Sequence, residues 1–361
     1  MRIFFPNGSL EWPPTNGPSI HRYQVVKNML ALGHEVVTLQ PDQNPLPNVQ
    51  RRNLRTVIQE LRRADVIYAR TSEKLNAACR LSASPWRHLI RRSTAVVWEV
   101  NLAPSLHVAA ASSSGAPEVE ANIRGYAQAA RRVDGAVAVT EQCAQECRER
   151  FGVERVVVEQ NGSDPDLFDP ATPWPEDLRV TKNLRVVWIG SHANKIHHAT
   201  LIQDLGRLID ERCLPIEVHI IGDTRSMFKA APPRCFSFHG PVSYLQLPSY
   251  LAAMDVGLAL YNIAYDQGSP LKLFDYLASE TVPLCTESQP MKDVLDGHDA
   301  GFVEDWTAER LAEALLSLHG HPNRRRIMAQ NGRGLIRSTY NWRSITERVL
   351  ALLEDCRRAR A

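Results

Sequence analysis

The sequence predicts an α/β protein built of two Rossmann-like domains facing a central cleft. Three observations carry that expectation. Short β-branched runs alternate with helical stretches along the whole chain, the signature of parallel βα units. A proline-rich stretch after Asn161 interrupts the alternation once. The 361 residues, 44% hydrophobic and 23% charged, suffice for two cores of ordinary size.

In the first half the runs are Arg2 to Phe5, Glu35 to Leu39, Val66 to Ala69, Ala95 to Val100, Ala136 to Val139 and Arg155 to Glu159. They predict one doubly wound sheet in a domain spanning 1–165. Pro165, Pro170, Pro173 and Pro175 cannot donate ladder hydrogen bonds, so 166–183 reads as a linker. The second series is Leu184 to Ile189, Ile216 to Ile221, Phe236 to His239, Val256 to Leu260, Val282 to Cys285 and Gly301 to Val303, within a domain spanning 184–343. The last segment, 344–361, is an amphipathic helix with Ile345, Val349, Leu350, Leu352 and Leu353 on one stripe, expected to complete the first domain. Sheets of this kind place ligands outside the carboxyl ends of their strands, so the loops there are the candidates for function.

Composition excludes several classes. A net charge of +2 argues against a general nucleic-acid binder. No apolar run approaches the ~18 to 20 residues that cross a bilayer, and the start is too short for a signal peptide, so the expected location is the cytoplasm. The stretch Arg51 to Arg92 carries eleven Lys or Arg against three acids, with Trp86, Leu89 and Ile90 among them. It reads either as solvated helices or as a peripheral contact with an anionic membrane face. Seven scattered cysteines read as reduced thiols, and Cys143 with Cys147 lacks further metal ligands. Neither half has a Gly-x-Gly-x-x-Gly turn after its first strand, which disfavours a dinucleotide oxidoreductase.

The segment Gly268 to Ser279 carries the most chemistry. Ser269 followed by Pro270 suits a helix start, with Ser capping orphan amides, and the helix is expected from Pro270 to about Ser279. Its amino end offers free amides and partial positive charge, and Gly268 allows close approach. Lys272 in the first turn opposes the helix dipole unless an anion sits nearby. Asp275 suits two adjacent hydroxyls. An ordinary amphipathic helix with solvated charges fits the same spacing.

This segment resembles the donor-site motif of retaining GT-B glycosyltransferases, family 4 in particular. The resemblance implies that Gly268, Ser269, Pro270, Leu271 and Lys272 surround a diphosphate and that Asp275 takes the ribose. Gln267 falls where the family carries its first acid. Val186 to Lys195 resembles the family's first donor-domain strand and phosphate loop, making Gly190, Ser191 and Lys195 candidates; His192, His197 and His198 crowd the same loop and read as solvated or phosphate-adjacent, the segment lacking the carboxylate a metal site needs. Phe238 to Val242 resembles the turn that stacks the nucleotide base, through Val242. Asp255 reads as structural.

On the other side, Asn16 and Gly17 correspond to the family's two-glycine turn, ahead of a helix from about Ser19 to Leu32. Glu99 and Asn101, in Trp98-Glu-Val-Asn-Leu-Ala-Pro, are candidates for sugar hydroxyls or the acceptor; Glu99 facing a helix would instead be a paired core acid. His107 has the chemistry of a general base without spacing support. Asn161-Gly162-Ser163-Asp164 resembles the family's interdomain junction, with Asn161 and Gly162 suited to a turn of positive φ.

The implied activity is transfer of a hexosyl-type sugar from a nucleoside-diphosphate sugar, UDP- or GDP-linked, to a glycan, lipid-linked or small-molecule hydroxyl, with retention at the anomeric carbon. Glu99, Asn101, Lys195 and Lys272 are the catalytic candidates, and neither a metal nor another cofactor is required. A nonenzymatic nucleotide-sugar-binding subunit and a nucleotide-sugar epimerase of the same fold are the alternatives.

Overall fold

The computed structural model describes residues 1–361 apart from 7–9, 11–12, 15, 39–45, 47–49, 52–56, 72–76, 81–88, 103–104, 106–115, 177, 179–180, 191–197, 229–230 and 263–267. The chain divides into two compact units, Met1–Asn161 with Gln267–Ser269 and Trp342–Ala361, and Gly162–Asp266 with Pro270–Asn341.

The first unit holds a parallel sheet of strands β1 (Arg2–Phe5), β2 (Glu35–Thr38), β3 (Gln50–Arg51), β4 (Val66–Arg70), β5 (Ala95–Val100), β6 (Gly135–Ala138) and β7 (Val156–Val158). Their order is β3-β2-β1-β4-β5-β6-β7, so the topology reverses between β1 and β4. Only β3, two residues long, lacks a counterpart among the β-branched runs. The central strands β4, β5 and β6 are almost wholly buried, as parallel strands covered on both faces must be.

Helix α1 (Gly17–Ala31) follows the first strand. It starts two residues before the expected Ser19, because Asn16 and Ser19 cap it reciprocally: the Asn16 side chain accepts from the Ser19 amide at 3.0 Å and Ser19 Oγ accepts from the Asn16 amide at 3.0 Å. Helices α2 (Val57–Arg63), α3 (Ala77–Arg80), α4 (Ala116–Ala130) and α5 (Glu141–Gln145) complete the crossovers described. Leu89 and Ile90, partly buried, pack against the core cluster of Phe4, Val37 and Leu61, while Trp86 lies outside the described residues.

The second unit has a parallel sheet of β8 (Leu184–Ile189), β9 (Ile216–Ile221), β10 (Phe236–Gly240), β11 (Val256–Ala259), β12 (Val282–Thr286) and β13 (Phe302–Glu304), in the order β10-β9-β8-β11-β12-β13. Its topology reverses between β8 and β11. The helices are α6 (Ala199–Glu211), α7 (Leu247–Leu251), α8 (Leu271–Ala278), α9 (Gln289–Leu295), α10 (Ala308–Gly320) and α11 (Pro322–Ser338). Helix α8 lies close on β11 because Gly257 has no side chain: a Cβ there would stand 2.4 Å from the Tyr276 ring. Leu273, Phe274 and Leu277 are buried on the same helix, each stabilising it by roughly 2 kcal/mol.

The final helix, α12 (Trp342–Arg360), belongs to the first unit, with Trp342, Ile345, Val349, Leu350, Leu352 and Leu353 buried. Glu159 binds Arg348 of this helix through both carboxylate oxygens at 2.8 to 2.9 Å, and Arg360 reaches Asp134 at 2.6 Å.

The proline-rich stretch is not a free linker. Arg333 of α11, 6% exposed, donates to the Phe168 carbonyl at 2.9 Å, to the Pro165 carbonyl at 3.1 Å and to the Ala278 carbonyl. Phe168 is buried edge-on to Tyr244, and Trp174 stacks on Arg185. Prolines removed ladder donors, as expected, but the carbonyls that remained found a buried guanidinium. The segment is therefore part of the second unit.

Candidate functional site

In the second unit the site grows from the carboxyl edge of the sheet, at the reversal between β8 and β11, where open α/β sheets bind ligands. Lys272 of α8 donates to the carbonyl of Ile189, the last residue of β8, and its ammonium sits 4.8 Å from the centre of the Tyr261 ring, two residues beyond β11. One flexible side chain thus places a positive charge in the crevice between the two strands.

Helix α8 begins at Leu271, with Pro270 in extended conformation at its cap making no side-chain cap bond. Ser269 does not cap it, contrary to the sequence expectation. Its hydroxyl instead accepts from the Asn161 amide at 2.9 Å and donates to Gln160 at 3.3 Å. The backbone amides of Leu271 and Lys272 remain the positive end of a buried eight-residue helix. Pro270, Leu271 and Lys272 are half-buried, whereas the rest of the helix is buried.

Glycines line the neighbouring strand ends. Gly190 follows β8, and Gly222, following β9, has φ +112 and presses on it so closely that a Cβ would lie 2.0 Å from the Gly190 carbonyl oxygen. The Gly222 amide donates to the Gly240 carbonyl at 2.7 Å. The Ile189 carbonyl and the Tyr261 ring thus meet Lys272, with Gly190 next along the chain. Val242 lies half-buried just beyond β10. Ser191, Lys195 and Gln267, with His192 and His197, lie outside the described residues, and His198 caps α6.

Asp275 is 3% exposed and accepts from the Ser163 hydroxyl at 2.6 Å. Burial raises its carboxyl to about 7, against the lowering effect of that hydrogen bond. Asp255 accepts from the Arg185 amide at 2.9 Å and pairs with Arg325 at 3.0 Å, a structural role.

In the first unit a buried polar cluster occupies the carboxyl ends of β4 and β5. Glu99 is 1% exposed, and its Oε1 is met by Arg70 at 3.1 Å, His21 at 3.2 Å and Asn101 Nδ2 at 2.5 Å. Burial alone would raise this carboxyl, but His21, Arg70 and Asn101 together hold it down at about 2. Glu99 is thus a paired, ionised acid that fixes Asn101, and Asn101, half-buried, is the more accessible of the two. A Cβ at Gly268 would come within 3.8 Å of the Asn101 carbonyl oxygen, an ordinary contact. His107 lies outside the described residues.

Asn161 differs from its sequence reading. Gly162 is not among the glycines of positive φ, so this is not a left-handed turn. Asn161 acts through hydrogen bonds: its amide nitrogen donates to the Ser269 carbonyl and its oxygen faces His21 Nδ1 at 2.7 Å. His21 was not singled out by sequence; no motif marks it, and only its burial in α1 reveals it. Asn16 spends its side chain on the helix cap, and Gly17 is the first helical residue.

All seven cysteines are free thiols. Among the described residues no group of three His, Cys, Asp or Glu side chains is placed to hold a metal ion, and no helix is long and apolar enough to cross a membrane.

The two sheets and their reversals define a GT-B fold. Residues 173–351 match the glycosyl transferase-like family model. No curated protein sequence matches the chain. Among solved structures, sucrose-phosphate synthase from Thermosynechococcus elongatus superposes with TM-score 0.71 at 13% identity, over 99% of each chain. A glycosyltransferase from Rickettsia africae gives TM-score 0.72 at 13% identity over 98% of each. HepE from Anabaena, in complex with UDP and glucose, gives 0.71 at 15% identity over 98% of this chain and 100% of that one. The family match and this fold together support a GT-B glycosyltransferase.

Proposed function

We propose that this chain transfers a hexosyl-type sugar from a nucleoside-diphosphate sugar to an acceptor hydroxyl, retaining the anomeric configuration. The observation that carries the proposal is Lys272, whose ammonium lies at the β8/β11 reversal in the first turn of α8. Negative charge grows on the leaving diphosphate as the glycosidic bond breaks. Preorganised amides of Leu271 and Lys272, with the Lys272 ammonium, offset that charge without reorganising during the reaction.

The glycine-lined ends of β8, β9 and β10 supply the backbone surface for the rest of the nucleotide, with Val242 beside the base. Gln267, Ser191 and Lys195 complete the proposed donor set by resemblance, and Asp275 the ribose contact. Asn101, held by Glu99, is the proposed partner for sugar or acceptor hydroxyls. UDP is the first nucleotide to try, since the HepE structures contain UDP, UDP with glucose, and UDP-glucose. Protein cations take the place of a metal on the diphosphate. The retaining class, family 4 membership and a cytoplasmic location are part of the same proposal.

Thermal-shift screening with UDP, GDP, ADP and dTDP and their sugars identifies the donor, because a ligand that binds only the native state raises Tm. Product analysis with the stabilising donor then decides the reaction. Transfer to an acceptor with retained configuration supports the proposal. Isomerised donor without transfer, or binding without turnover, replaces it by an epimerase or a nonenzymatic subunit.

A further inference from the structure

Tyr261 has no part in the transfer chemistry above, yet it stands against the residue that carries it. It lies two residues beyond β11 and is 4% exposed. Its backbone amide donates at 2.9 Å to the hydroxyl of Thr286, the last residue of β12, which is itself buried. The backbone that carries the ring is thus tied to the neighbouring strand. The Lys272 ammonium lies 4.8 Å from the centre of that ring, within the range of a cation–π contact.

A cation in the first turn of a helix is disfavoured by the helix's own amino end. Lys272 is such a cation, and attraction from outside α8 offsets the repulsion. The Ile189 carbonyl at the end of β8 and the Tyr261 ring beyond β11 supply it from either side of the sheet's reversal. A lysine ammonium is a point charge on a flexible four-carbon stem, so a single contact would leave it free to swing. The carbonyl and the ring together define one position for it.

The chemistry of the ring matters as much as its place. A carboxylate at this position would pair with the ammonium and cancel much of the field it offers an anion. An aromatic face attracts a cation through its quadrupole and carries no net charge, so the positive charge stays available.

We propose that Tyr261 is a positioning residue for the transfer: its ring face holds the Lys272 ammonium beside the Ile189 carbonyl without neutralising it, and so presets the charge that meets the leaving diphosphate. A charge fixed before the reaction needs no reorganisation as the bond breaks. The role in transfer rests on Lys272 acting on a diphosphate; the ring contact itself does not.

Proton–carbon NMR of the full chain with carbon-13 lysine reads the contact. The ε-methylene protons of Lys272, assigned by the signal lost in Lys272→Ala, are expected upfield of those of an exposed lysine, because a group above a ring face is shielded. The shift is expected to persist in Tyr261→Phe and to vanish in Tyr261→Leu. An unshifted Lys272 signal in the wild type overturns the proposal, and that measurement needs no Tyr261 variant to fold.

Donor kinetics read the consequence. Tyr261→Leu is expected to lower kcat about fivefold, ~1 kcal/mol, with the donor KM changed less than about twofold. Tyr261→Phe, which keeps the ring, is expected to recover most of that loss. With Lys272→Ala already present, Tyr261→Leu should lower kcat no further, since a residue that acts through Lys272 then has nothing to hold. A loss that adds to that of Lys272→Ala, or that is equal in Tyr261→Phe, overturns the proposal. So does unchanged kcat in a folded Tyr261→Leu when Lys272→Ala is impaired. Unchanged turnover in Lys272→Ala sinks the donor reading instead, and with it the role in transfer, while the lysine signal still decides the contact.

Discussion

The hydroxyl of Ser163 donates to the carboxyl of Asp275 at 2.6 Å, in a setting where Asp275 is 3% exposed. Ser163 also donates its amide to the Tyr340 carbonyl at 3.0 Å, so one residue just past the junction ties α8 to the end of α11.

The burial of Asp275 makes stability depend on pH in a defined direction. Burial raises the Asp275 carboxyl from 3.8 to about 7. The native state therefore keeps a proton that the unfolded chain has released over this interval. This contribution is full below about pH 4 and is lost as pH rises through about 7, a change on the order of 4 kcal/mol. Asp275→Asn keeps an acceptor for Ser163 and removes the charge, so urea unfolding should show a flatter pH dependence and a more stable variant at alkaline pH. Parallel curves for the two proteins would contradict it.

Lys272→Ala is expected to lower turnover at least tenfold, ~1.4 kcal/mol, because it removes a charge that acts on the leaving diphosphate. The loss should appear in turnover with the fold retained, since Lys272 is half-buried rather than part of the core. Steady-state kinetics beside calorimetry test this. Activity near that of the wild type would remove Lys272 from the site.

Glu99→Ala leaves Arg70 and His21 without their shared carboxylate. Breaking one side of a buried pair costs about 3 kcal/mol or more. In the wild type the corresponding stability is present above about pH 4.5 and is lost as pH falls toward about 2, the depressed value of this carboxyl. Denaturant titrations of both proteins near pH 7 and pH 3 should show a smaller gap at the acid end.

Gly222→Ala should destabilise the second unit by at least ~2 kcal/mol, since φ is +112 and the added carbon meets the Gly190 oxygen. Calorimetric unfolding measures this. Nucleotide affinity should fall with it, because Gly190 would have to shift.

Chelation by excess EDTA should leave transfer to the acceptor unchanged, with helix amides and Lys272 on the diphosphate. Loss of turnover, recovered by a divalent ion, would assign that charge to a metal.

Much of the fold was legible because parallel strands buried on both faces must be continuous apolar runs, and twelve such runs correspond to strands β1, β2 and β4 to β13. The two-residue β3 had no such signal. The start of α1 was placed late because its cap depends on Asn16 and Ser19 meeting in space, with two prolines nearby obscuring it. Ser269 reads as a helix cap in isolation, but Asn161, 108 positions away in sequence, claims its hydroxyl. Arg333 looks like one more surface arginine of a basic helix until three carbonyls converge on it.

By itself the sequence determined the α/β class, the two sheets, and α8 with Lys272 near its start, because these follow from local pattern and short-range chemistry. Only the tertiary structure decided that Lys272 reaches the end of β8, that Glu99 is buried beneath Asn101, and that His21 joins Glu99 to Asn161. Those outcomes depend on which atoms from distant segments share a dehydrated space, where an unpaired polar group is costly, and no local pattern encodes that pairing.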